Sequence, residues 1–568
     1  MPLYDLLRES ILFYSLWVIE QKPLGFCNSP SLRSGDIMIT DVLIIGGGGA
    51  AARAAIECSN KNVVVAVKGL FGKSGCTVMA EGGYNAVFNP EDSFEKHFYD
   101  TMKGGGFINN PKLVEILIKN APKELKNLEK FGCIFDRTEE GKVAQRPFGG
   151  QSFNRTCYSG DRTGHEIISG LMEYINRLDK VDIKEDVMAV KLIVKDNRCY
   201  GAIFLDLING NLFPIYAKAT ILATGGAGQL YPITSNPIQK VGDGFAIAYN
   251  EGVELIDMEM VQFHPTGMVG TGILVTEAVR GEGGILYNSN KERFMKNYDK
   301  EKMELSTRDV VARAIYTEIK EGRGINGGVY LDVSHLDDRI IEERLETMFS
   351  QFLDVGIDIR KEPMIVAPTA HHFMGGIKIN EKCESNIAGL FACGEVAGGI
   401  HGANRLGGNA LADTQVFGAI AGRYASEFAE NHDFNLSKVK ELTNNIIQNL
   451  EGEFKERGEN AHESIEKLRN IMWNYVSIVR DEKGLEQALK EIKGLKNKKI
   501  SVNGTVDVQK YFELKNMLQV AEIVTKCALI RKESRGAHCR SDYPETLEEW
   551  KGNLVANKKE IKFIKLNH

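Results

Sequence analysis

No two of the ten cysteines stand in a C-x-x-C pair. The ordinary ligand sets of structural zinc and of iron–sulfur clusters are therefore missing, and no metal site is expected in this chain. An excess of positive charge is missing too. The 70 basic and 76 acidic residues leave a net charge of −6 with no polybasic stripe. That excludes the electrostatic footprint of a nucleic-acid binder or of a protein drawn to an anionic bilayer. Ile11–Ile19 (ILFYSLWVI) is apolar but only nine residues long, against about 20 for a membrane-spanning helix, so no direct membrane span is expected. No A-x-A-like cleavage site follows it, so it does not read as a signal peptide. Met38 lies just before the first strand and points to a mis-assigned start, and residues 1–37 carry no part of the functional reading. Without a secretory signal, the cysteines read as reduced thiols of a cytoplasmic protein.

What is present is an ordinary soluble composition, 43% hydrophobic and 26% charged over 568 residues, enough for about two to four domains. The organising stretch is Asp41–Ala55, DVLIIGGGGAAARAA. Val42–Ile45 reads as a buried parallel strand that breaks into four glycines before an alanine-rich helix. Glycine lets the backbone turn tightly and approach a pyrophosphate, while the helix N-terminus presents unpaired N–H groups to it. Counted from Gly46 the pattern is G-x-G-x-x-A, with Ala51 in the helix-packing slot. Gly46, Gly48, Gly49 and Ala50 are the candidate phosphate-side residues, although an ordinary Gly-rich turn would look the same. Val63–Val67 reads as a second parallel strand. Dinucleotide folds often place a ribose-binding acid after it, but here stands Lys68, which would suit a 2′-phosphate; this motif alone does not choose the cofactor.

Three later stretches do. Gly75–Gly83 (GCTVMAEGG) is too glycine-rich for a helix interior and reads as a loop pressed on a cofactor, with Thr77, Glu81, Gly82 and Gly83 as candidate contacts. It resembles the segment before the flavin ring in succinate dehydrogenase and fumarate reductase flavoprotein subunits. In that family the residue before Thr-Val is usually a histidine bonded covalently to FAD; here it is Cys76. The resemblance implies non-covalent FAD, with a cysteinyl thioether as the alternative and a buried, inert thiol as the plain reading. Ile221–Gly228 (ILATGGAG) is another buried strand ending in small residues, with Ala223, Thr224 and Gly225 beside the cofactor. By resemblance Asp243 of Gly242-Asp243-Gly244 contacts FAD, and Glu395, ending the strand from Leu390, lies on the ribityl side. Asn409 and Leu411 complete the candidate FAD contacts. Three such motifs spread along one chain favour FAD over NAD or NADP.

Around them lie FHPTG (263–267), TEAVRGEGG (276–284), STRD (306–309), TAHHFMGG (369–376) and HGANRLGGN (401–409). A four-carbon dicarboxylate needs fixed cations or donors at both ends, which arginine supplies bidentately. Reducing its double bond needs a hydride on one carbon and a proton on the next. Spacing does not rank these residues. The resemblance, which extends over Ile39–Pro544, assigns His264, Thr276, His371 and Arg405 to anchoring. It assigns proton donation to Arg308, resupplied through Glu277 and Arg280, while FADH2 gives hydride from N5. An arginine side chain, with a solution pKa above 12, is an unusual acid and is tolerable only in a dry, carboxylate-coupled relay. A structural Arg280–Glu277 pair on one helical face is the bland alternative. In this family, loss of the histidyl bond is expected to lower the flavin potential, which favours fumarate reduction over succinate oxidation.

Elsewhere, Pro111–Phe131 reads as a core-facing helix (Leu113, Ile116, Ile118, Leu125, Leu128). Residues 181–219 read as a small antiparallel sheet with a turn at Asn209-Gly210. Val439, Leu442, Ile446, Leu450 and Phe454 form one apolar stripe, and further helices through Leu529 suggest an antiparallel bundle. Lys532–Pro544 (KESRGAHCRSDYP) resembles the family's C-terminal signature, docked either on the core or on a partner.

The fold class expected is α/β: a two-dinucleotide-binding-type, Rossmann-like FAD domain split in sequence (38–250 and 367–430), an inserted α+β capping domain (251–366) and a C-terminal helical domain (431–568). The active site is expected at the FAD–cap interface. The resemblance implies the catalytic flavoprotein subunit of a fumarate reductase or succinate dehydrogenase. It also implies fumarate or succinate as substrate and a separate iron–sulfur subunit. Location is cytoplasmic, peripheral to a membrane only through partners. Archaeal thiol-driven soluble fumarate reductases form one branch of that group. L-Aspartate oxidase shares several motifs, but the Arg405–Ala410 and RPFGGQS (146–152) stretches resemble the reductase branch more. Adenylylsulfate reductase is more distant. A flavin-carrying electron-transfer or scaffold subunit would not need His264, Thr276, His371, Arg308 and Arg405 together.

Overall fold

The computed structural model describes residues 38–566; the apolar run Ile11–Ile19 lies outside them. At its centre is a seven-stranded sheet. Met38–Ile45, Val63–Ala66 and Val181–Lys184 run parallel to one another as neighbours. Leu390–Ala392 runs parallel to the end of Leu212–Leu222. Val42–Ile45 and Val63–Ala66 are buried along their length, as expected of parallel strands covered on both faces. Helix Asn409–Asn431 packs on helix Gly49–Glu57 at very short range. A Cβ at Gly418 or Gly422 would meet the carbonyl oxygens of Ala50 and Ala54 at 2.8 and 2.7 Å.

Residues 181–219 do not form a sheet of their own. Val181–Lys184 extends the parallel edge, whereas Val187–Lys195, Arg198–Asp206 and Leu212–Leu222 form an antiparallel meander. The last of these is long enough to leave the meander and join Leu390–Ala392. Alternation identifies a strand, but not its partner. In the helix Pro111–Lys130, Leu113, Ile118, Leu125 and Leu128 are buried as read, but Ile116 is only half-buried on the flank, and Val114 and Leu117 take core positions.

The inserted region carries a second sheet, ordered Val261–Met268, Met364–Phe373, Val329–Asp332, Ile285–Tyr287. Its last strand in sequence continues seven residues past the expected boundary at 366, because Thr369–Phe373 pairs with Val261–His264. The region has its own apolar core around Val279, Leu286, Val311, Ile315, Leu331 and Phe352.

Helices Ala461–Val476, Glu482–Lys496 and Thr505–Ile530 pack on one another as the expected bundle. Helix Leu436–Gly452 is shared between bundle and meander: Val439 and Leu450 join Met188, Ile203 and Tyr216 of the meander and Val508 and Phe512 of the helix Thr505–Ile530. An apolar stripe shows that a face is buried, not what covers it. The C-terminal region is also not helical to its end. Gly552–Ala556 and Ile561–Lys565 form a hairpin that adds to Leu255–Ile256. Between bundle and hairpin runs the Lys532–Pro544 signature, which docks on the core. Arg535 donates to Gly106 O at 2.7 Å, Ala537 N–H to Ala403 O at 2.9 Å, and Arg313 of the cap helix to Gly536 O at 3.1 Å. No described helix is long and apolar enough to cross a membrane, and no described cluster of His, Cys, Asp or Glu is arranged to hold a metal ion.

Candidate active site

A single cavity of about 520 Å³ collects residues from every glycine-rich, histidine and arginine motif above except the Lys532–Pro544 signature. At one end the strand Met38–Ile45 breaks at Gly46, whose φ is +133° and whose Cβ would meet Ala223 O at 2.2 Å. Only glycine fits there. Gly48 precedes the helix Gly49–Glu57 with no side-chain cap. Its first N–H, on Gly49, donates to Thr77 Oγ1 at 3.0 Å, which brings the Gly75–Gly83 loop against the glycine turn. Ala50, Glu81, Gly82, Gly83, Ala223, Thr224, Gly225 and Leu411 complete the wall, and Thr224 Oγ1 is buried with no partner. A glycine cradle at a helix N-terminus with an orphaned hydroxyl opposite fits a dinucleotide.

Lys68 and Asp243 also line the cavity, but they hold each other. Lys68 Nζ lies 2.8 Å from both Asp243 Oδ2 and Glu513 Oε1. Burial disfavours its charge, but the two carboxylates outweigh that and keep the ammonium protonated. Two carboxylates on one ammonium leave no positive charge for a 2′-phosphate, so the NADP reading fails. Asn409 is corrected as well. Its side chain does not face the cavity but turns back to the core, fully buried. It accepts from Asn85 Nδ2 at 2.7 Å and donates to Thr101 Oγ1 at 3.0 Å.

The far end is walled by His264, Thr276, Glu277, Arg308, His371 and Arg405. Arg308 opens the helix Arg308–Glu318 and donates through Nε to Glu277 Oε2 at 2.8 Å; Gly149 N–H donates to the other oxygen at 3.0 Å. Arg280 stands behind the wall, 2% exposed, donating to Glu304 O. Arg405 donates to Gln262 Oε1 at 3.0 Å. His371 Nδ1 lies 2.9 Å from Ser235 Oγ, and the rings of His264 and His371 are 5.5 Å apart. Thr276 caps the short helix Glu277–Gly281, accepting from Ala278 N–H.

His264 Nε2, Arg308 Nη1 and Arg405 Nε are buried with no partner. Such groups are costly unless a ligand completes them. Burial alone would raise Glu277, but Arg308 and Arg280 hold it down at about 2. Burial, with Arg308 beside it, pulls Arg405 down to about 9. Burial keeps His264 and His371 well below the usual histidine range, so both are neutral. Glu81 is pushed up to about 8 by burial and by Asp161. The guanidiniums of Arg308 and Arg405 therefore line the far wall beside one ionised carboxylate, Glu277, with Arg280 behind it, a cationic wall suited to a dianion.

Glu277 also sets a pH dependence. Its folded pKa lies below the unfolded value of 4.5, so its stabilisation is present above pH 4.5 and is lost as pH falls toward 2. Urea unfolding of Glu277→Gln at a series of pH values from 4.5 down to 3 is expected to give a shallower loss of stability than the parent.

Sequence reasoning missed Lys240 and His372, which line the cavity beside Cys76 and Glu395, and His165 of the helix Thr163–Ile175. Asp161 and Arg162 also line it; they lie in a stretch, Asp161–Gly164, that resembles the family's flavin- and substrate-side loop but carries no individual role from sequence. His372 was visible as the neighbour of His371. Lys240 lies in no spacing pattern.

An FAD-binding-domain family model matches residues 41–411, and a model described as fumarate reductase flavoprotein C-term matches residues 465–566. An uncharacterized FAD-dependent oxidoreductase of Methanocaldococcus jannaschii is 74% identical over 94% of this chain and 98% of its own length. A fumarate reductase (CoM/CoB) subunit from Methanothermobacter marburgensis is 55% identical, over 92% of this chain and 98% of its own. Among solved structures, the flavoprotein of E. coli quinol fumarate reductase superposes with a TM-score of 0.90 at 34% identity, covering 93% of this chain and 97% of that one.

Proposed function

Because the chain belongs to the family of fumarate reductase and succinate dehydrogenase flavoprotein subunits, we propose that its cavity reduces fumarate to succinate, with the residues in the roles that follow. It is an FAD-dependent oxidoreductase and the catalytic flavoprotein subunit of a fumarate reductase. The observation that carries the mechanism is the buried Arg308–Glu277 pair, with Arg308 Nη1 and Arg405 Nε both buried and unpartnered in the same wall.

Arg405, His264, His371 and Thr276 grip the two carboxylates of the substrate. Gly46–Ala50, Thr77–Gly83, Ala223–Gly225, Asp243, Glu395 and Leu411 would hold FAD, which when bound would supply the hydride for one alkene carbon. Arg308 gives a proton from Nη1 to the neighbouring carbon. It opens its helix, where the positive dipole end disfavours its charge, which suits a group that must surrender a proton. Arg308, left neutral, is reprotonated through Glu277, which is bonded to it, takes a proton from Arg280 behind and passes it on. Arg280 recovers its proton from solvent. The neutral histidines donate hydrogen bonds to the substrate without competing for that proton.

Cys76 at the family's histidine position makes the FAD non-covalent, and burial keeps its thiol protonated. The lowered potential that follows favours fumarate reduction. With no cysteine ligand set of its own, the chain passes electrons through a separate iron–sulfur subunit, and it is cytoplasmic, reaching a membrane only through partners. The bounds 38–250, 251–366 and 367–430 for the FAD and capping domains serve as working limits, with the cap sheet reaching Phe373. An amino acid such as L-aspartate would bring an ammonium into a site already in cationic excess, which disfavours oxidase activity.

One assay tests the reading. Fumarate reduction is measured with an artificial low-potential donor, and the protein is then precipitated in acid. Turnover with the yellow colour left in the supernatant is expected; oxidation of L-aspartate by oxygen in place of fumarate turnover would overturn it.

A further inference from the structure

Two lysines line the cavity, and they are neutralised differently. Lys68 is shared by two carboxylates. Lys240 is paired with Glu395 alone, and its Nζ also lies 3.2 Å from Cys76 Sγ. Its methylenes lie over Gly225, where a Cβ would meet Lys240 Cε at 3.0 Å, and its side chain is only 6% exposed. Glu395 turns its other oxygen to Phe373 N–H at 3.0 Å. The other titratable groups near this pair are His372, 3.8 Å from Glu395, and His371, both kept neutral by burial, and Arg405, whose charge Glu395 supports. Burial disfavours the charge on Lys240, but the Glu395 carboxylate paired with it keeps it protonated. The result is a fixed cation against an uncharged thiol.

That thiol occupies the place where the family attaches the flavin ring. Two-electron reduction with uptake of one proton, FAD + 2e⁻ + H⁺ → FADH⁻, leaves one negative charge on the ring. A cation held beside it in a poorly screened cavity favours the reduced form. We propose that Lys240 raises the reduction potential of the FAD in this cavity, partly offsetting the loss of the covalent histidyl bond at position 76. The inference rests on the FAD-dependent reading above.

Spectroelectrochemical titration of the purified holoprotein tests it, with Lys240→Met, Lys240→Arg and the double variant Lys240→Met/Glu395→Gln beside the parent. In Lys240→Met the ratio of reduced to oxidised flavin at a fixed poise is expected to fall at least tenfold, about 30 mV for a two-electron couple. Lys240→Arg stays near the parent. The double variant has no stranded carboxylate and is expected to keep the lowered potential. If Lys240 merely neutralises Glu395, the double variant returns to the parent value and the proposal is overturned. An unchanged potential in Lys240→Met overturns it equally; should that variant not fold, the double variant carries the test. Parent protein that retains no flavin would instead sink the FAD-dependent reading, so the two failures are distinguishable.

Discussion

Arg308→Ala keeps its bound flavin and loses fumarate reduction by a factor on the order of 10³ or more. General acid catalysis accounts for about 10²–10⁴, and this side chain also contributes to the charge that draws a dianion. The substitution leaves Glu277 anionic, with Gly149 N–H and the nearby Arg280 still beside it, so the site is not emptied of structure. Flavin retention is expected because the glycine cradle is built from other strands. Steady-state kinetics with an artificial donor, together with the visible spectrum of the purified variant, separate the two effects. Activity within tenfold of the parent would remove Arg308 as the proton donor. Glu277→Gln is expected to lose turnover with less change in KM, because it keeps much of the side chain's shape and removes the carboxylate that relays a proton to Arg308.

The second large effect is on stability and lies away from the cavity. Arg531 is fully buried and holds three buried carboxylates: Glu259 at 2.6 Å, Glu533 at 3.1 Å and Asp257 at 3.4 Å. It also donates to Trp550 O and Gly552 O, at the start of the C-terminal hairpin. Asp257, pushed up to about 7 by burial and by Glu259, accepts from Asn553 and Leu554 of that hairpin. Breaking a buried ion pair by deleting one partner costs about 3–5 kcal/mol, because the other charge is left unanswered. Arg531→Met therefore strands Glu259 and unpins the hairpin, and a clear drop in soluble yield and in thermal midpoint is expected. Arg531→Lys keeps the charge but loses the fork, so it recovers part of the loss. A midpoint for Arg531→Met within a degree or two of the parent would show that the cluster contributes little.

The residues legible in the sequence are those whose chemistry leaves no substitute. Gly46 has to be glycine because a neighbouring carbonyl occupies the Cβ position. Ala223 and Gly225 end a strand that faces the same turn, so small residues at the ends of buried strands announced the cofactor's path. Arg308 and Arg405 sit in motifs dense enough to be seen, but the resemblance, not their spacing, ranked them. Asn409 shows the limit: a helix-start residue beside a cofactor motif reads as a contact, yet its amide turns toward Asn85 and Thr101. Lys240 shows the converse, since a lysine in an irregular loop gives no periodic signal and its importance comes from Cys76 and Glu395, far away in sequence. The hairpin 552–565 escaped notice because two five-residue strands next to a charged turn carry little alternation, and its partner strand Leu255–Ile256 is only two residues long.

The docking of the Lys532–Pro544 signature has a consequence for biosynthesis. It grips the loop before Arg405 through Ala403, and the helix of Arg308 through Arg313, although every residue of the cavity wall precedes it in the chain. A nascent chain on the ribosome can thus fold its glycine cradle early, but both arginines wait for a clasp translated more than a hundred residues after the last wall residue, Thr414. Catalytic competence is therefore acquired only after that clasp has been translated.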